Sequence, residues 1–178
     1  MSRFPHAAIA KRLLEGDQAA TTEEKGAALE DVVVQSFCRV QGISFILRDK
    51  TNYAHSSEID ILLANQRHPQ GLPFLSDYLM FECKNWATAV NSATVEGFIA
   101  RVRGARLEIG ILVATNGVTG DPDERTAAND IIRRAFDRDN IKLLVVKRAE
   151  IEAFRSVRDV TELMRLKFGH LIMGLSAL

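Results

Sequence analysis

The sequence holds only two cysteines, Cys38 and Cys83. Two thiols outside any Cys-x-x-Cys pair exclude a disulfide-stapled scaffold and read as free thiols in a reducing compartment. Long apolar runs are also missing: none approaches the roughly 20 residues that cross a bilayer. The opening segment, MSRFPHAAIAKRLLEGD, has neither a secretory apolar stretch nor a cleavage pattern. A cytoplasmic protein with no membrane partner is expected. Charge of one sign is absent as well, since 23 Lys and Arg balance 23 Asp and Glu. That excludes a basic footprint over the whole chain but leaves local patches open. Neither a repeat nor a low-complexity tract is visible.

What remains is an ordinary globular composition, 47% hydrophobic and 26% charged over 178 residues. One domain over residues 1–178 is expected, with 1–20 and 149–178 as helical extensions. The spacing predicts a helix from Pro5 to Glu15, ended by Gly16 and Asp17. Thr21 and Glu24 form a capping-box pattern. A helix then runs to Gln41, with Leu29, Val32, Val33, Phe37 and Val40 at helical spacing. Gly42 is its stop. Strands are expected at Ile43–Leu47, Glu58–Leu63 and Tyr78–Lys84. Asp49–Ser57 reads as a turn and Asn65–Asp77 as a long connection. A helix follows from Asn91 to Arg106, then a buried strand at Ile109–Thr115. Another helix is expected over Asp123–Asp139, with Ala127, Ile131, Ile132, Ala135 and Phe136 on one side. A strand at Ile141–Val146 and a mostly helical stretch from Ala149 complete the chain. The first three strands suit a meander, and the later strand–helix–strand order implies parallel pairing. The predicted class is α/β, a mixed sheet with helices on both faces.

Two short strands carry ionisable groups on one face. In EIDILL, alternation puts Glu58 and Asp60 opposite Ile59 and Ile61; in YLMFECK it puts Glu82 and Lys84 opposite Phe81 and Cys83. Charge on a half-buried face needs a partner. Asp60 and Glu82 are hard oxygen ligands that suit Mg²⁺ or Mn²⁺, and Lys84 beside them suits a water or a phosphate. The other reading, inward charge that protects an edge strand from pairing, stays open on pattern alone.

The segment FECKNW, with EID upstream, resembles the PD-(D/E)xK nuclease superfamily, and most of all its Mrr-like restriction endonuclease branch. The resemblance runs from about Lys25 to Val146. It includes the early helix, where Gly26-Ala27-Ala28-Leu29-Glu30 matches a Gly-x-x-aromatic-Glu pattern with Leu29 in the aromatic place. It also includes Asp60, then Glu82-Cys83-Lys84-Asn85-Trp86, then ILVATNGVTG. The resemblance implies a restriction-endonuclease-like fold of αβββαβαβ-like order. It implies that Asp60 and Glu82, with the Cys83 main-chain carbonyl, bind Mg²⁺ or Mn²⁺. It implies that Lys84 positions the attacking water and that Glu30 completes the set. The implied activity is metal-dependent hydrolysis of DNA, as an endonuclease of defence, restriction or DNA processing. RNA cleavage, or a catalytically weak nucleic-acid-binding subunit, are the alternatives. A homodimer is implied for double-strand cleavage, and a partner chain for specificity. Glu58 departs from the small residue typical two places before the aspartate and stands as a competing ligand or substrate contact. The 65–77 connection is longer than the family's tight hairpin, and reads as either a substrate loop or a dimer element.

Other residues carry two readings each. Trp86 stacks on a base or is a rim aromatic. Asn85, Thr115 and Asn116, with Gly117, follow strand ends where α/β sheets place ligand sites. Arg101, Arg103 and Arg106 on one helix, and Arg133, Arg134 and Arg138 on another, contact phosphates or form solvated faces. His55 and His68 have no partner at zinc-ligand spacing. Gly117 and Gly120 make no phosphate-binding loop, because no Gly-Lys-Ser/Thr follows.

Overall fold

The computed structural model describes residues 4–51, 58–119 and 128–175. Helix α1 spans His6–Gln18 and runs straight through Gly16, where the sequence predicts a stop. Tertiary packing overrides the glycine. A Cβ at Gly16 would lie 2.6 Å from the Ala28 Cβ, so Gly16 is the point at which α1 closes onto helix α2 (Thr22–Phe37). The start of α2 is set by the predicted cap. Thr21 Oγ1 accepts from the Glu24 N–H at 3.1 Å, and the Glu24 carboxylate accepts from the Thr21 N–H at 3.2 Å. The helix ends earlier than expected, at Phe37. A tighter turn to Val40 follows, in which the Val40 N–H donates to the Phe37 carbonyl.

Five strands form one sheet: β1 (Ile43–Thr51), β2 (Glu58–Asn65), β3 (Tyr78–Lys84), β4 (Ile109–Ala114) and β5 (Lys142–Lys147), in that spatial order. The first three pair antiparallel and β3-β4-β5 pair parallel, as the element order implies. Strand β1 corrects the expected turn from Asp49 onward. Its polar half pairs with β2 as far as Thr51↔Glu58, and a bulge between Phe45 and Leu47 shifts its alternation. Residues 52–57, with His55, lie outside the described residues, as do Gly120 and the 123–127 part of the predicted helix.

Helix α3 (Ser92–Gly104) begins where Asn91 Oδ1 accepts from the Thr94 N–H at 2.9 Å. Helix α4 covers Ala128–Asp139. The helical stretch expected from Ala149 is two helices, α5 (Arg148–Ala153) and α6 (Val157–Ile172), because Ser156 caps a fresh start with Asp159. None of the helices among the described residues is long and apolar enough to cross a membrane.

Every residue of β4 is buried, so both faces of the sheet are covered. On one face α2 brings Phe37 edge-on to Phe81, with ring centroids 4.9 Å apart. On the other, Gly110 leaves room for α3: a Cβ there would meet Val102 and Leu143 at 2.9 Å. The 66–77 connection is pinned rather than loose. Asn65 Nδ2 donates to the carbonyls of Leu72 and Leu75 at 2.9 and 3.2 Å, and Leu72 and Leu75 are buried. It leaves β2 five residues beyond Asp60, about 17 Å along the strand.

Candidate active site

Strands β2 and β3 part company at one point. Their pairing ends at Ile61↔Phe81, while β3 continues alongside β4 to Lys84↔Ala114. Asp60 and Glu82 are the next residues on each strand, on the face that alternation assigns them. The Cys83 N–H, left without a ladder partner, donates to Asp60 Oδ2 at 2.8 Å. The Lys84 carbonyl accepts from the Thr115 N–H of the β4 side at 3.1 Å. Main-chain groups alternate along a strand, so the Cys83 carbonyl faces the gap on the β2 side, beside Asp60. The buried Cys83 thiol is pushed well above its ordinary acid constant by burial and then by the charges of Asp60, Glu30 and Glu82. It stays protonated, so only the carbonyl of Cys83 is a donor to a hard cation.

A cleft of about 400 Å³ opens at this divergence, lined by Glu30, Asp49, Glu58, Asp60, Lys84 and Trp86 together with the first turns of α2. Glu30 reaches it from α2, where it is buried. It is steadied by Arg48, whose Nε donates to its carboxylate at 2.7 Å. Arg48 also binds Asp31 and the Ala27 carbonyl. Glu82 takes no part in the cleft lining. It is 3% exposed, with Lys84 Nζ 2.6 Å from one oxygen and Arg101 of α3 paired to the other.

The electrostatics single out two carboxylates. Burial, and then the charge of Asp49, pushes Glu30 up to about 7, against the pull of Arg48. Burial, and then the charge of Glu82, pushes Asp60 up to about 6, against the Cys83 N–H and Lys84. Both folded-state values exceed the unfolded ones, near 4.5 and 3.8. The folded chain therefore holds protons that the unfolded chain has already released. Stability from these groups is present at low pH and is lost as pH rises through about 6 to 7. In metal-free buffer, the stability of the parent chain relative to Asp60→Asn falls between pH 5 and 7.5. Urea denaturation of both proteins at the two pH values measures it, and equal slopes would refute the assignment.

The donor set fits Mg²⁺ or Mn²⁺ in kind: carboxylate and carbonyl oxygens whose mutual repulsion a cation relieves. It is not gathered at ligand spacing, because no three His, Cys, Asp or Glu side chains stand together as a metal-holding group among the described residues.

The structure distributes the other predicted residues unevenly. Asn85 is a brace: its Nδ2 donates to the Lys25 carbonyl at 3.0 Å and its Oδ1 accepts from the Thr115 hydroxyl at 2.8 Å. Asn116 is turned to the Trp86 carbonyl at 2.8 Å. Trp86 is 40% exposed, with Lys84 Nζ 5.9 Å from its ring centre. Arg103 pairs with Asp139, Arg133 with Asp137 and Arg134 with Asp130, so these three helix arginines are held by neighbouring acids. His68 accepts from the Gln70 N–H in its own turn. Gly117 adopts φ +68°.

Sequence reasoning missed Arg48 and Asp49, whose strand alternation is broken by the bulge in β1. It named Arg101, but as a phosphate contact; no local pattern signals a helix-to-strand ion pair with Glu82.

A family model described as "Restriction endonuclease", of the Mrr catalytic type, matches residues 22–145. No curated protein matches the chain. The matched span starts at α2 and ends inside β5, so it takes in β1 to β4, most of β5 and every residue of the cleft. That span is well over half of the sequence, and it carries the fold as well as the site: the chain belongs to the Mrr-type restriction endonuclease family, and is a nuclease.

Proposed function

We propose that the chain is a metal-dependent endonuclease that hydrolyses phosphodiester bonds in DNA, in restriction or DNA processing. The observation that carries this reading is the divergence of β2 and β3, which sets Asp60 in a cleft with Lys84 and Glu30. Asp60, Glu82 and the Cys83 carbonyl would hold Mg²⁺ or Mn²⁺, with Glu30 completing the set. When bound, the ion supplies Lewis acidity toward the scissile phosphate and a lowered acid constant for a bound water. Lys84 lines the cleft with its ammonium paired to Glu82, and would orient the attacking water or neutralise the phosphate. The Cys83 N–H fixes one oxygen of the Asp60 carboxylate, and the other would serve the ion. Glu58 and Trp86 line the mouth and meet the nucleic acid. Asn85 and Thr115 act indirectly, by holding the cleft walls. In-line attack leaves a 5′-phosphate and a 3′-hydroxyl. Cleavage of both strands takes two such sites, hence a homodimer on DNA.

The test is direct. Supercoiled DNA with the purified chain and Mg²⁺ is cut, and Lys84→Ala cuts it at least about a hundredfold more slowly, a barrier difference of about 2.7 kcal/mol. Equal rates, or no cleavage of DNA with any divalent metal, would sink the reading. Preferential cutting of RNA in a competition assay would replace the substrate and leave the chemistry.

A further inference from the structure

Glu82 is the proposed ligand least ready to receive an ion. It is 3% exposed, it stays out of the cleft lining, and each of its oxygens already holds a cation. A divalent ion approaching such a carboxylate competes with both cations for its lone pairs and its charge. The two are not equivalent. Lys84 belongs to the same strand, two residues on, and its side chain lines the cleft. Arg101 arrives from α3, and 27% of its side chain is exposed, which gives it a path to solvent. Its Nε is buried with no hydrogen-bond partner among the described residues. A guanidinium carries five N–H donors, and a buried one left unpaired is a standing cost of the position it occupies. Leaving Glu82 relieves that cost.

We propose that Arg101 is a placeholder counter-ion: it neutralises Glu82 while the site lacks its metal and competes with the metal for that carboxylate. This rests on the reading of Asp60 and Glu82 as metal ligands. It also fits the dispersed ligand set, since Glu82 is paired with Arg101 of α3 and stays out of the cleft lining. A merely structural ion pair has the opposite consequence: removing Arg101 would loosen Glu82 and weaken metal binding.

The experiment is a calorimetric titration of Mn²⁺, without DNA, into the full parent chain, Arg101→Met, Arg101→Lys and Asp60→Asn. Arg101→Met is expected to bind Mn²⁺ about tenfold more tightly than the parent, as loss of one like charge at contact distance requires. It also melts lower than the parent without metal and recovers with Mn²⁺. Arg101→Lys keeps the charge and stays near the parent affinity. Asp60→Asn gives no binding heat. Should Arg101→Met not fold, Arg101→Gln, which keeps an N–H for Glu82 without the charge, is read in the same way. Asp60-dependent binding with equal or weaker affinity in the uncharged variants overturns the placeholder role and leaves the metal site standing. No Asp60-dependent binding in any of the proteins overturns both.

Discussion

Asp60→Asn is expected to lose DNA cleavage by at least about a thousandfold, about 4 kcal/mol of barrier, while gaining stability in metal-free buffer. The two effects have one cause. Asp60 is driven up to about 6 by burial and by the charge of Glu82, so at neutral pH the folded chain carries a carboxylate it would rather protonate. Asparagine keeps an oxygen for the Cys83 N–H, now at 2.8 Å, and removes the repulsion. It also removes the negative charge that draws a divalent ion, and without the ion no water in the cleft is acidic enough to attack. A plasmid-nicking rate and a thermal melt on the same preparation check both signs. Residual activity within tenfold of the parent would remove Asp60 from the site. A drop in melting temperature would refute the electrostatic account alone. Such opposed effects are the ordinary signature of a residue kept for chemistry at the expense of the fold.

The largest loss of stability is expected at Phe81. It is fully buried in β3, paired with Ile61 on one side and Ile111 on the other, and it meets Phe37 edge-on at 4.9 Å. Phe81→Ala opens a cavity at the seam between α2 and the sheet and forfeits the ring contact, and it costs about 3–5 kcal/mol. Urea denaturation reads this as a lower midpoint at an unchanged slope. Phe81 immediately precedes Glu82, and its step with Ile61 is the last before the strands part. The variant therefore also widens the divergence, and whatever fraction still folds cleaves slowly. A midpoint shift worth less than about 1 kcal/mol would mean that α2 settles onto β3 and refills the space.

Much of this was legible in the sequence because it is local. The capping box at Thr21 and Glu24 and the apolar runs of β4 and β5 each depend on neighbours a few places away. So does the alternation of EID and ECK, and the structure keeps all of them. The illegible parts depend on distant residues. Helix α1 ignores Gly16 because Ala28, twelve places on, closes against it. Strand β1 extends into DKT because β2 supplies a ladder and because Glu30 and Asp31, on a preceding helix, hold Arg48. The pairing of Glu82 with Arg101 joins a strand to a helix nineteen positions away, and no periodicity reports it. The cluster was thus readable as ionisable side chains on neighbouring strands but not as a set of ion pairs.

Asn85 has a consequence of a mechanical kind. With one hand on the Lys25 carbonyl of α2 and the other on Thr115 at the end of β4, it ties the helix that walls the cleft to the neighbouring strand end through a single amide. The separation of α2 from the end of β4 at this point is spanned by the reach of that side chain. A glutamine there would change that reach by about one carbon–carbon bond, roughly 1.5 Å. Position 85 thus acts as a spacer between helix α2 and the end of β4, set by a single amide.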